Sequence, residues 1–255
     1  LTPFSREVTL RLSNEDLSII DYVFSWLGNP DLLVAIIKLL EDKMNVEYDA
    51  LEVGVQVVLL VEDSIRFYSS YLPNIYKIIF QQTNSFMTEG LNEHQRMMRK
   101  RGRPKLVMAT TYEEAVRLFD KYEKNLLGII SDISYKRAGH QDSEAGFRLL
   151  NHVRAKTDFL PFVLQSSDTK YQAVAHNLGV GFIDKNSKTM AIELRERGSR
   201  LLADVTHGLL QRQLVERRQG QRQHQLDAAL EHEGGVQKRL SALGFSAFYR
   251  CWVWH

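Results

Sequence analysis

Apolar runs of strand length alternate with stretches of helical spacing through the middle of the chain. Residues 55–61, 106–109, 126–131, 161–165 and 179–183 are short and rich in Val, Ile and Leu, as strands buried on both faces are. Between them apolar residues recur at three- and four-residue intervals. This predicts helices over roughly 65–101, 112–124, 144–156 and 169–177, and a last one from Ser187 to about Glu196. Pro73 predicts a kink in the first, long helix, and the GRPK segment at 102–105 ends it. Thr111 with Glu114 predicts a helix cap, and 134–143 reads as a polar loop. The order from 55 to 196 is βαβαβαβαβα, which implies a parallel sheet and, with right-handed crossovers, a doubly wound α/β sandwich. Upstream, residues 1–30 read as helix then strand, the strand over 18–26. A Gly28-Asn29-Pro30 turn follows, with Asp31 as a cap. A helical pattern occupies 32–44 and a linker 46–54.

The strands of that sheet end in chemistry. The first releases the adjacent carboxylates Glu62 and Asp63, the third Asp132, the fourth Ser166 and the fifth Lys185. Parallel strands place all these groups at one sheet edge, the carboxyl end, where open α/β sheets hold their ligands. Three carboxylates with room for water form a hard oxygen site suited to Mg²⁺. A carboxylate can also act as a nucleophile toward phosphorus, with Lys185 and the Ser166 hydroxyl bonding the phosphoryl oxygens. Each residue has a plainer reading: Glu62-Asp63 as a solvated loop start, Asp132 as a turn cap, Ser166 as a loop serine with Ser167 as its rival.

The motifs VVLLVEDS, GIISDIS, PFVLQSS and GFIDKN, in that order, resemble those of the receiver domain of two-component response regulators. The resemblance covers roughly 55–196 and implies a flavodoxin-like, CheY-like five-stranded fold. It implies Asp132 as phospho-acceptor, with Mg²⁺ held by Asp63, by Glu62 through water, by Asp132 and by the backbone carbonyl of Ser134. It further implies Ser166 as switch hydroxyl, Phe182 as switch aromatic and Lys185 as the phosphate-binding lysine. The expected partner is a histidine kinase or phosphotransfer protein, and the expected event is phosphoryl transfer followed by a conformational switch. On this reading the chain is an acceptor module and not itself an enzyme. Two departures stand out. The interval from Asp63 to Asp132 is longer than is usual, with the excess in the first helix, which suggests a docking or homodimerising surface. Asn186 stands where a proline commonly follows the lysine.

Residues 1–45 read as the back half of a preceding receiver when the stretch starting at 18 is laid on 178–195. Leu1-Thr2 then falls on Gln165-Ser166, and Ser25 falls where Lys185 stands, so the remnant is a pseudo-receiver lacking its lysine. Residues 1–54 are therefore expected to be that remnant plus a linker. The tandem arrangement is similar to the regulatory front of bacterial phosphoenolpyruvate synthase or pyruvate phosphate dikinase-like proteins. A regulatory domain attached to such an enzyme, without phosphorylation, is the alternative function.

Composition modifies this picture at the ends. The chain opens on Leu1-Thr2-Pro3-Phe4 with neither Met nor a signal-peptide pattern, and reads as a fragment or a processed form. One cysteine, Cys251, excludes an internal disulfide and agrees with a cytoplasmic location. No apolar stretch has the length of a membrane span. Residues 197–255 hold 9 Lys+Arg against 5 Asp+Glu, while the remaining 196 residues hold 24 against 26. That Gln- and Arg-rich tail reads as a foreign or out-of-frame segment of irregular or helical structure, or as a partner-binding tail. Its four histidines show no metal-ligand spacing. RGRP at 101–104 matches the core of a minor-groove DNA motif, but four residues match often and the body is acidic, so nucleic acid is not expected. Two rivals remain. A haloacid dehalogenase-type phosphatase would need Asp two residues after its nucleophile, where Ser134 stands. A scaffold with a vestigial pocket is the other.

Overall fold

The structure is a computed structural model that describes residues 2–3, 22–85, 102–157 and 159–187. The helix expected near the amino terminus, the far part of the long helix (86–101), the helix after Ser187 and the 197–255 tail lie outside the described residues. All described residues belong to one compact unit, Leu1–Ala203.

The elements in order are β1 (Thr2–Pro3), β2 (Ser25–Trp26), α1 (Asp31–Leu51), β3 (Val57–Val61), α2 (Ile65–Ser85), β4 (Lys105–Ala109), α3 (Tyr112–Tyr122) and β5 (Leu126–Asp132). There follow β6 (Tyr135–Arg137), β7 (His140–Asp142), α4 (Ala145–Arg154), β8 (Phe162–Ser166), α5 (Tyr171–Asn177) and β9 (Gly181–Asp184). Strands β3, β4, β5, β8 and β9 form one all-parallel sheet in the spatial order β4-β3-β5-β8-β9. In sequence rank this is 2-1-3-4-5, the order of flavodoxin-like folds. The chain is thus an α/β protein with a five-stranded parallel sheet and flanking helices, as the apolar runs predict.

Every residue of β3 is buried. Alternation sends Val57, Leu59 and Val61 to one face and Val58 and Leu60 to the other, so both faces are covered. On the first face these residues share a core with Ala115 and Phe119 of α3, Leu149 and Val153 of α4, and Ala175 of α5. Thr111 caps α3 by accepting from the Glu114 N–H, as its sequence predicts. Helix α2 runs unbroken through Pro73 to Ser85.

Two expectations are corrected. The 46–54 linker is helical as far as Leu51, because Val46 and Ala50 continue the buried stripe of Leu32, Ala35, Leu39 and Asp42 at helical spacing. The loop at 134–143 contains the antiparallel hairpin β6–β7, with Tyr135 opposite Asp142 and Arg137 opposite His140. The turn of the hairpin uses Ala138 and Gly139, both at positive φ.

Helix α1 closes the open edge of the sheet. Asp42 is fully buried and accepts the outward N–H of Leu106 on edge strand β4 at 3.0 Å. The same carboxylate receives both guanidinium nitrogens of Arg103 at 2.6 and 3.1 Å, and the Tyr76 hydroxyl of α2 at 3.0 Å. Lys105 spans from Asp42 to Asp49, 2.7 Å from the latter. The arginine of the RGRP motif that lies in the described residues, Arg103, is therefore spent inside the protein. Upstream of α1, β1 and β2 form a separate parallel pair with Thr2 opposite Ser25 and Pro3 opposite Trp26. In the main sheet Ser166 lies opposite Asp184. With Thr2 laid on Ser166, Ser25 is the counterpart of Asp184 and Trp26 that of Lys185. The register proposed from sequence is one residue off, and the position still has no lysine.

Candidate functional site

The strand order reverses at β3: the chain leaves it to one side for β4 and returns on the other for β5. The crevice between the carboxyl ends of β3 and β5 is the topological switch point of the sheet. Glu62 and Asp63 leave β3 there, and Asp132 is the last residue of β5. Carboxylate oxygens of the three residues all lie within 4.8 Å of one another.

Lys185 arrives from the end of β9 with its side chain almost fully buried. Its Nζ stands 2.6 Å from Asp132 Oδ2 and 2.7 Å from Glu62 Oε2. The Lys185 backbone N–H donates to the Ser166 carbonyl at 2.9 Å, which fixes where the side chain starts. The ring of Phe67 on α2 covers the ammonium at 4.5 Å. Glu62 also accepts from Gln165 Nε2 at 2.9 Å and from the Ser64 N–H at 3.1 Å. Asp132 Oδ1 accepts from the Ile133 N–H at 2.7 Å. The loop after Asp132 is pinned to α4 through the Gly146 N–H, 2.9 Å from the Ile133 carbonyl. A Cβ on Gly146 would stand 2.3 Å from the Asp132 carbonyl oxygen, so only glycine lets the helix approach the acid this closely.

One ammonium faces three carboxylates, so the cluster keeps negative charge. Burial is the largest influence on Glu62 and pushes its carboxyl up to about 8, with the negative charge of Asp132 adding and Lys185 opposing. Asp63 is raised by the same burial and by Asp132, against Lys185 and a hydrogen bond from the Gln141 side chain. A cation with hard oxygen preference fits this donor set, because it would pair with the carboxylates whose ionisation burial and mutual repulsion oppose.

The structure brings Glu62, Asp63, Asp132 and Lys185 together. Ser166 is buried at the end of β8, where its Oγ accepts the Asp168 N–H at 3.1 Å and its own proton remains to donate. Phe182 is buried in β9 as part of the core. Asn186 donates to the Ser167 carbonyl at 3.2 Å, and no cis peptide occurs among the described residues. Three residues of the site escaped the reading of the sequence. Gln165 had a signal, an amide interrupting an apolar run. Phe67 had only its helical spacing. Gln141, on an exposed hairpin with no apolar pattern, had none. Its Nε2 lies 3.2 Å from Ser134 Oγ.

No family model matches the chain, and no curated protein matches it. Among solved structures it is similar to a response regulator receiver domain protein from Clostridium thermocellum. The identity is 14% and the TM-score 0.38, over 60% of this chain and 99% of that one. The fold assignment rests on the strand order and register: a flavodoxin-like α/β sheet with an acidic cluster and a buried lysine at its switch point.

Proposed function

We propose that residues 55–196 form a phospho-accepting receiver module in which Asp132 is the acceptor. The observation that carries this reading is the placement of Lys185 Nζ 2.6 Å from Asp132 Oδ2, beside two further carboxylates at the switch point. An Asp132 oxygen attacks phosphorus in line. The P–N bond of a phosphohistidine breaks, the imidazole leaves with the bond's electron pair and takes up a proton, and an acyl phosphate is left on Asp132. The ammonium of Lys185, released from Asp132 by this step, turns to a phosphoryl oxygen. Ser166 donates its free proton to another. Glu62, Asp63, Asp132 and the Ser134 carbonyl would hold Mg²⁺, which supplies charge neutralisation of the phosphoryl oxygens.

The consequence is a two-state change. Lys185 and Ser166 both stand at strand ends, and Phe182 lies on the strand that carries Lys185, so a new anion at Asp132 pulls on β8 and β9 together. The partner is a histidine kinase or phosphotransfer protein. The alternative is a regulatory domain attached to an enzyme of the phosphoenolpyruvate synthase type, without phosphorylation.

The test is incubation with radiolabelled acetyl phosphate and Mg²⁺. The wild-type chain is expected to take up hydroxylamine-labile label to near one equivalent, and Asp132→Asn to take up none. Label persisting in that variant overturns the assignment. A folded wild-type chain that takes no label supports the non-phosphorylated regulatory reading.

A further inference from the structure

The hairpin β6–β7 places one carboxamide beside the acidic cluster. The side chains of Glu62 and Lys185 are almost sealed, and that of Asp132 is slightly exposed. Asp63 and Ser134 beside it are half-buried, and Gln141 is exposed. Gln141 is held there by donating to Ser134 Oγ at 3.2 Å, and its amide is near enough to Asp63 to favour the ionised carboxylate. Its neighbour Asp142 is fixed in turn: Arg148 of α4 pairs with its carboxylate at 3.0 Å, and the Glu144 N–H donates to it at 2.9 Å. At the hairpin's tip Glu113 of α3 accepts the Ala138 N–H at 2.9 Å. A hairpin anchored in this way is a positioned element.

Building on the reading of Asp132 as acceptor, we infer that Gln141 orients the water that hydrolyses the Asp132 phosphoryl group, setting how long the phosphorylated state lasts. A carboxamide has both halves of what this needs: its oxygen accepts a proton of the water while its nitrogen stays bound to Ser134. A carboxamide that aims a water at phosphorus is a recurring part of phosphoryl-transfer sites. The water oxygen bonds to phosphorus as the P–O bond to Asp132 breaks. The Asp132 carboxylate leaves with that electron pair, and the water's proton passes to the inorganic phosphate or to bulk water. No oxidant or further reactant is needed.

The experiment follows first-order loss of label from the full chain after acetyl phosphate is removed, with Mg²⁺ present. Gln141→Ala is expected to lose label about three- to tenfold more slowly, the loss of one oriented hydrogen bond. Gln141→Glu, which keeps the accepting oxygen, is expected to retain part of the rate. His140→Ala, at the exposed hairpin position beside it, is expected to match wild type. Water enriched in oxygen-18 should place its oxygen in the released phosphate for every variant. In the metal-free protein, Ser134→Ala should shift the Gln141 side-chain amide resonances, which tests the contact without any turnover. An unchanged or faster loss in Gln141→Ala overturns the inference while leaving Asp132 as acceptor. A wild-type chain that takes no label overturns both.

Discussion

At the scale of single residues, the site is a problem in burying charge. Glu62 is fully inaccessible, and its carboxyl titrates near 8 against 4.5 for the ordinary side chain, chiefly because burial penalises the ion. A group raised in the folded state binds a proton there at pH values where the unfolded chain has released it. The stability this contributes is complete below about pH 4.5 and is lost as pH rises through about 8. Asp63, raised for the same reason, acts in the same direction. Metal-free protein is therefore expected to lose stability steadily between about pH 5 and pH 8, at up to about 1.4 kcal/mol per pH unit for one titrating group. Glu62→Gln should flatten that slope, as read from urea midpoints in the presence of a chelator. Parallel profiles for the two proteins would show that Glu62 is not the titrating group. The same protonation competes with metal, so Mg²⁺ affinity should climb through the same window.

At the scale of elements, what the sequence made legible and what it hid divide along a physical line. Strand ends were legible because a buried strand tolerates polar groups only where it stops, so Glu62, Asp63, Asp132 and Lys185 announce themselves by breaking apolar runs. The second half of α1 was not, because Asn45, Glu47 and Asp49 look like linker until Val46 and Ala50 are seen facing a core that other elements supply. The hairpin was not, because β6 and β7 carry YKR and HQD, with no alternation and one buried side chain between them. Nor does any local pattern distinguish Asp42 from a solvated helix carboxylate. Its role depends on Arg103, Tyr76 and Leu106, which lie 34 to 64 residues away. Asp42→Ala leaves a hydroxyl and an edge N–H without their acceptor, and a buried guanidinium with only the half-exposed Glu41 as its carboxylate. The expected loss is about 3–5 kcal/mol, the cost of breaking a buried ion pair from one side. Asp42→Asn, which keeps one acceptor oxygen, should lose less. Chemical unfolding measures both, and a change under about 1 kcal/mol for the alanine variant would mean the network is replaceable by water.

For the molecule as a whole, the question is where the folding unit begins. Motifs place the receiver-like segment at residue 55, yet the contacts run across that point. Helix α1 buries Leu32, Ala35, Leu39, Val46 and Ala50, and Val46 and Ala50 share the core with Val57 and Leu59. The segment ahead of α1 is tied to α2 by the Ser25 N–H on Ser69 Oγ at 3.0 Å, by the Tyr68 hydroxyl on the Val23 carbonyl, and by Phe24 edge-on to Tyr68. A chain starting at residue 55 retains every proposed site residue but loses all of this. It exposes the β4 edge, an invitation to edge pairing with other chains. It also strands Arg103 and Lys105, whose carboxylate partners among the described residues lie on α1. Each buried Leu or Val removed forfeits about 1.5–3 kcal/mol, against a total stability of about 5–15 kcal/mol for a domain. The chain from residue 55 to residue 203 is therefore expected to lack a cooperative unfolding transition and to aggregate, whereas the chain from residue 22 to residue 203 should unfold cooperatively near the full-length midpoint. Calorimetry on the two settles it: a cooperative transition for the shorter chain within a few degrees of the longer one would make α1 an ornament on an independent domain. Its absence would make α1 a wall of the sheet, through which any load on the amino-terminal segment reaches β4 and, one strand further in, the acidic end of β3.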